Sequence, residues 1–144
     1  LMNNHSFALC VLKYVHILTK GIPYYNKFGF IFNDDINQQK LEFNKNKMMN
    51  LKTEDLRLDI LVYLIIKIIN EKSYQKIYKY DFIQDIYNII QSYKEYIDSN
   101  KNLMDFFNYI LYNHCHIMAM IYLELFEILE LKIFSKNEMI KVIS

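Results

Sequence analysis

Along most of this chain apolar residues recur at intervals of three and four, which puts them on one side of a helix, and they seldom alternate as a half-buried strand requires. From Ser6 to Lys20 the polar positions are Ser6, Lys13, His16, Thr19 and Lys20, which predicts a helix capped by Ser6, with Gly21 just past its end. Residues 22–32 are aromatic and bounded by turn formers: Pro23 opens a helical turn, and Phe28 to Phe32 reads as extended. A loop carrying Asn33 leads into a weakly patterned helix expected from Ile36 to Met49. Thr53 is the expected cap of a helix reaching Lys72, with Glu54 and Asp55 in the first turn, where the positive helix end favours them. Apolar residues cover most of that helix, which predicts a central, buried position. The next helix is expected from a cap at Asp81 to Asp98. Its core side carries Phe82, Ile83, Ile86, Ile89, Ile90, Tyr93 and Ile97, and its solvent side Gln84, Asp85, Asn88, Gln91, Lys94 and Glu95. As one helix, residues 103–134 would run about 50 Å, longer than a small domain, so a break is expected near Asn113 and His114. A last short helix is expected from Lys136 to Ile143. The sum is a mainly α, single-domain bundle of about five to six helices, with a short extended segment near residues 28–32.

Punctuation sharpens this reading. The two glycines and the single proline all lie between Gly21 and Gly29. Everything downstream must turn with Asn, Asp, Ser and Lys, which disfavours tight hairpins and the glycine-rich loops that cradle phosphates or form oxyanion holes.

Composition sets further bounds. A length of 144 residues and 53% hydrophobic content are enough for one core. Basic and acidic residues balance at 17 and 16, so no global field draws the protein to nucleic acid or an anionic membrane. The first 52 residues are the more basic part, and Arg57 is the sole arginine. Abundant Ile, Asn, Lys and Tyr point to an AT-rich genome, viral or protist, and weaken each lysine as evidence for a phosphate partner. No run is long and uninterrupted enough to span a membrane, and residues 1–4 lack the basic start of a signal peptide. Cys10 and Cys115 are read as buried free thiols in a reducing, intracellular compartment. The start at Leu1 reads as that of a fragment of a longer chain.

Four groups of residues carry possible chemistry. His114, Cys115 and His116 are potential metal ligands, but two histidines at i and i+2 of one helix point about 200° apart, which favours a structural or helix-break role over an ion site. Glu124, Glu127 and Glu130 form an acidic stripe; a di-iron bundle would need Glu-x-x-His pairs, which the sequence lacks, so the stripe reads as a solvated face. Tyr74, Tyr78, Tyr80, Tyr87, Tyr93 and Tyr96 read as packing residues with surface hydroxyls, while Lys72, Lys76 and Lys79 make the best candidate nucleic-acid contact. The sequence contains no nucleophile elbow, P-loop, dinucleotide fingerprint or His-Glu-x-x-His motif, and no metal or cofactor is expected.

Tyr24-Tyr25-Asn26-Lys27-Phe28-Gly29-Phe30 resembles the signature near the C-terminal end of the Gcn5-related N-acetyltransferase family, as in proteins of AT-rich giant DNA viruses. That resemblance implies a tyrosine at Tyr25 placed to assist a leaving thiolate, and a cofactor-binding turn upstream of the match. Residues 1–32 would then be the tail of a preceding element, and this chain alone would not bind acetyl-CoA. Three roles are thus in view: a non-catalytic helical interaction or structural domain with a protein partner or a second copy, a truncated acetyltransferase-like protein using Tyr25, and a nucleic-acid accessory module. The scarcity of glycine favours the first.

Overall fold

A computed structural model describes residues 13–24, 26, 29–72, 82–134 and 139–141. Within them lie six helices and one short ribbon: α1 (helical over residues 13–20), β1 (Phe30–Phe32), α2 (Asp35–Asn50), α3 (Leu58–Lys72), α4 (Phe82–Asp98), α5 (Leu103–Asn113), α6 (Cys115–Ile128) and β2 (Met139–Lys141). The mainly α expectation holds.

Helix ends show how a chain poor in glycine turns. Gly21 takes φ 85° after α1 and its N–H reaches the Ile17 carbonyl at 2.8 Å, as the sequence predicted. Elsewhere other residues do this work. Asn100 follows α4 at φ 54° while Lys101 N–H donates to Tyr96 O, and Glu130 follows α6 at φ 55° while Leu131 N–H donates to Phe126 O. Both are the closing bonds of a Schellman cap built on a left-handed residue that carries a Cβ.

The core is centred on α6. Its Ile117, Met118, Ile121 and Leu125 are wholly buried, and the helix packs on α5 and on α3, while α4 lies against both of those. From α1, Tyr14 stacks near Tyr122 and meets Phe126 edge-on at 5.0 Å. The central place expected for α3 therefore belongs to α6. In α3 the buried residues are Leu61, Leu64, Ile65, Ile68 and Ile69, and Tyr63 and Ile66 face outward, because its isoleucine-rich surface is wider than its neighbours cover.

Three local expectations are corrected. Thr53 caps no α-helix: residues Thr53–Asp55 form a 3-10 turn, α3 starts at Leu58, and Thr53 Oγ1 donates to Lys101 O at 3.0 Å. The turn is stitched to the α4–α5 junction, with Leu103 N–H on Leu51 O and Tyr93 Oη on Leu56 O at 2.6 Å. Tyr93 accordingly hides its hydroxyl instead of showing it. Of the last helix expected over residues 136–143, the described residues Met139–Lys141 instead form β2, which pairs antiparallel with β1 in the register Phe30–Lys141, Ile31–Ile140 and Phe32–Met139. A strand partner satisfies the edge of β1, which a short terminal helix would leave open. The extended segment itself is present at Phe30–Phe32, and residue 28 lies outside the described set.

Helix α2 comes within a residue of its expected bounds. Asp34 caps it by accepting from Asn37 N–H at 2.8 Å. Its inner line is Asn37, Leu41, Asn44 and Met48, so two of four core-facing positions are amides. Asn44 explains itself: its Nδ2 donates to Lys132 O at 2.9 Å and its Oδ1 accepts from Lys132 N–H at 2.7 Å, which fastens the chain after α6 along α2.

Candidate functional site

The densest polar constellation forms where α5 gives way to α6. His114 occupies the break at φ −142°, ψ 52°, belonging to neither helix. The 200° divergence expected of His114 and His116 on one continuous helix therefore does not apply, and both rings turn to the same residue of α4. His114 Nδ1 lies 2.8 Å from Asp85 Oδ1, and His116 Nε2 lies 3.2 Å from Asp85 Oδ2. Asp85 is 7% exposed. The solvent-side expectation for Asp85 was wrong and so was the core-side expectation for Ile83, which is 75% exposed. Phe82, Asp85, Ile89 and Ser92 share the buried side of α4, and the two imidazoles supply the donors that make a buried carboxylate tolerable there.

A third group extends the chain of bonds. Tyr109 Oη stands 3.3 Å from His114 Nε2 and 3.4 Å from the Asn88 carbonyl. With Nδ1–H of a neutral His114 given to Asp85, Nε2 accepts from the phenol. With His114 charged, Nε2–H donates to the phenol oxygen and the phenol proton turns to Asn88. Each group keeps a partner in either state. The arrangement is an Asp–His–Tyr relay in form, and Phe82 packs against the ring of His116 at 5.8 Å.

Donors and acceptors of this cluster face one another. A metal needs lone pairs that converge on an empty point, and among the described residues no group of three such side chains offers that. Cys115, expected to be buried, is exposed, because the break turns it outward while its neighbours turn in. Close by, Tyr109 also lines an open groove of about 580 Å³ with Lys20, Tyr96, Lys101, Asn108 and Tyr112.

No family model, curated protein or solved structure matches this chain.

The other sequence candidates fall unevenly. Lys72 closes α3, whereas Tyr25, Lys76, Lys79, Cys10, Asp81 and Tyr74, Tyr78 and Tyr80 lie outside the described residues. Tyr87 is exposed and Tyr96 joins the core aromatics beside Phe106. Glu127 and Glu130 are exposed and Glu124 is half-buried, as a solvated stripe requires. No helix among the described residues is long and apolar enough to cross a membrane.

One surface escaped the sequence reading. Ile36, Lys40, Phe43 and Lys47 are spaced by four, three and four along α2, which makes one outer stripe. Ile36 and Phe43 are 65% and 43% exposed. The chain after α6 runs beside this stripe: Lys132 Nζ lies 5.0 Å and Lys47 Nζ 5.8 Å from the Phe43 ring centre, and Lys40 Nζ donates to Ile133 O at 3.1 Å. Ile133 is itself 56% exposed. Among the described residues none of these three lysines forms an ion pair.

Proposed function

We propose that this chain is a helical interaction domain that acts through its surface and not through a catalytic centre. The observation that carries the reading is the outer face of α2, where Ile36, Phe43 and Ile133 stand exposed among Lys40, Lys47 and Lys132. Large apolar groups held in water beside ordered cations contribute little to this fold, and such a mixture of aromatic anchor and charged rim is what interfaces use. The Asp85 cluster supports the same reading from the other side. Asp85 gives both carboxylate oxygens to His114 and His116, joining α4 to the α5–α6 break, which is the work of a structural pin.

A photo-crosslinking amino acid in place of Phe43 tests this. In the cell that expresses the chain it should give discrete protein adducts, and the same group at exposed Tyr112 should give none. Equal labelling at both positions, or none at Phe43, would overturn the reading.

A second reading, the nucleic-acid accessory module expected at Lys72, Lys76 and Lys79, would gain Lys40, Lys47 and Lys132 as further cations. Salt-dependent binding of a nonspecific oligonucleotide is its test.

A further inference from the structure

We propose that a second copy of this chain is the partner that docks on the outer face of α2. The inference rests on the interaction-domain reading and names its occupant.

The face is self-complementary. Its basic arm is Lys40, Lys47 and Lys132. Directly before Lys132 the chain carries an acidic arm, exposed Glu127 and Glu130, and exposed Ile128 and Ile133 accompany the two arms. The bonds between Asn44 and the backbone of Lys132 tie residue 132 to α2, two residues after Glu130, so the acidic arm ends where the chain joins the basic one. A two-fold axis through such a patch sets the basic arm of one copy on the acidic arm of the other, twice over, with Phe43 and Ile133 enclosed between them. The charges pair without any third component.

The same details disfavour a polyanion. Glu127 and Glu130 would repel phosphates within two to five positions of Lys132. The ammoniums of Lys132 and Lys47 stand over the ring of Phe43, where a stacked base would have to lie. An unrelated acidic peptide would match Lys40, Lys47 and Lys132 and leave the acidic arm unanswered. A second copy answers both.

Sedimentation velocity of the purified chain over a wide concentration range decides the matter. The expected result is a reversible monomer–dimer equilibrium that weakens with salt. Phe43→Ser should loosen it roughly thirtyfold or more, as loss of a central aromatic anchor does. Lys132→Glu alone and Glu127→Lys alone should each weaken it, whereas both in one chain, or the two single variants mixed, should restore it. All these positions are exposed, and an unchanged melting temperature for each variant confirms the fold. A chain that stays monomeric at every concentration, or a dimer indifferent to both reversals, overturns the proposal. So does binding of an oligothymidine that is abolished by Lys132→Glu. If the chain is monomeric while Phe43 still crosslinks to a different protein, the interaction-domain reading survives and the second copy does not.

Discussion

Asp85 Oδ1 and His114 Nδ1 lie 2.8 Å apart although 29 positions separate them in sequence, and both side chains are buried. The contact ties α4 to the one point where the α5–α6 rod is broken. Since His116 takes the other carboxylate oxygen, one acidic side chain holds both histidines and fixes the angle at which α6 enters the core.

Removing the carboxylate should therefore cost more than its small size suggests. Asp85→Ala leaves a buried imidazole nitrogen without its partner, and a loss of about 2–4 kcal/mol is expected. Asp85→Asn keeps an acceptor for His114 but presents an N–H to His116, so about half that loss is expected. Urea denaturation of the three proteins checks the order. A wild-type midpoint for Asp85→Ala would show that the pin bears no load.

Asn44 should behave alike for a different reason. Asn44→Leu conserves volume and raises apolar content, yet it strands the N–H and C=O of Lys132 that Asn44 now satisfies. The expected cost is about 2–3 kcal/mol, where a hydrophobic gain would be the simple forecast for a wholly core-facing position. Hydrogen exchange at the Lys132 amide should rise in the variant, and protection there equal to wild type would contradict the assignment.

How far the sequence disclosed these sites follows from what each depends on. Helix α2 and the break at His114 were legible because period, caps and length are local properties. Asp85 was not, because polarity argued for solvent while phase argued for the core: Asp85 lies three residues after Phe82 and four before Ile89, both buried. Phase won, since partners 29 and 31 positions away neutralise the objection. The turn at Thr53 and the strand Met139–Lys141 failed likewise, each being decided by a backbone partner distant in sequence. The α2 stripe was readable in its spacing, but the one lysine that completes it, Lys132, arrives from beyond the helix.

The left-handed caps offer a stabilising change. Glu130 holds φ 55° with a side chain that disfavours it, so Glu130→Gly should add about 0.5 kcal/mol, the relief of strain exceeding the extra freedom of glycine in the unfolded chain. Asn100→Gly should change stability by less than that, because asparagine tolerates the left-handed region at φ 54°. Thermal denaturation of the two variants in dilute solution checks the contrast. Equal effects would mean that the strain at Glu130 has been relieved elsewhere.

Alkaline pH should loosen the core at Tyr93. Burial, then the nearby charges of Glu54 and Asp59, raise its phenol above the usual value of 10.0, and the hydroxyl donates to Leu56 O at 2.6 Å. A group whose pKa is raised on folding keeps its proton longer in the folded state. Its contribution is complete below the unfolded value and is lost as pH climbs through the folded one. Tyr96, raised by burial and by Asp105, acts in the same direction. Stability should then fall as pH climbs above about 10, where the unfolded chain gives up phenolic protons more readily than the native one. The decisive comparison is Tyr93→Phe. That variant should lose about 1 kcal/mol at neutral pH with the hydrogen bond to Leu56, and should then decline less steeply with alkali than wild type. Parallel urea-midpoint curves for the two proteins would place the alkaline transition elsewhere, whereas convergence at high pH would locate it at the one phenol that links α4 to the turn before α3.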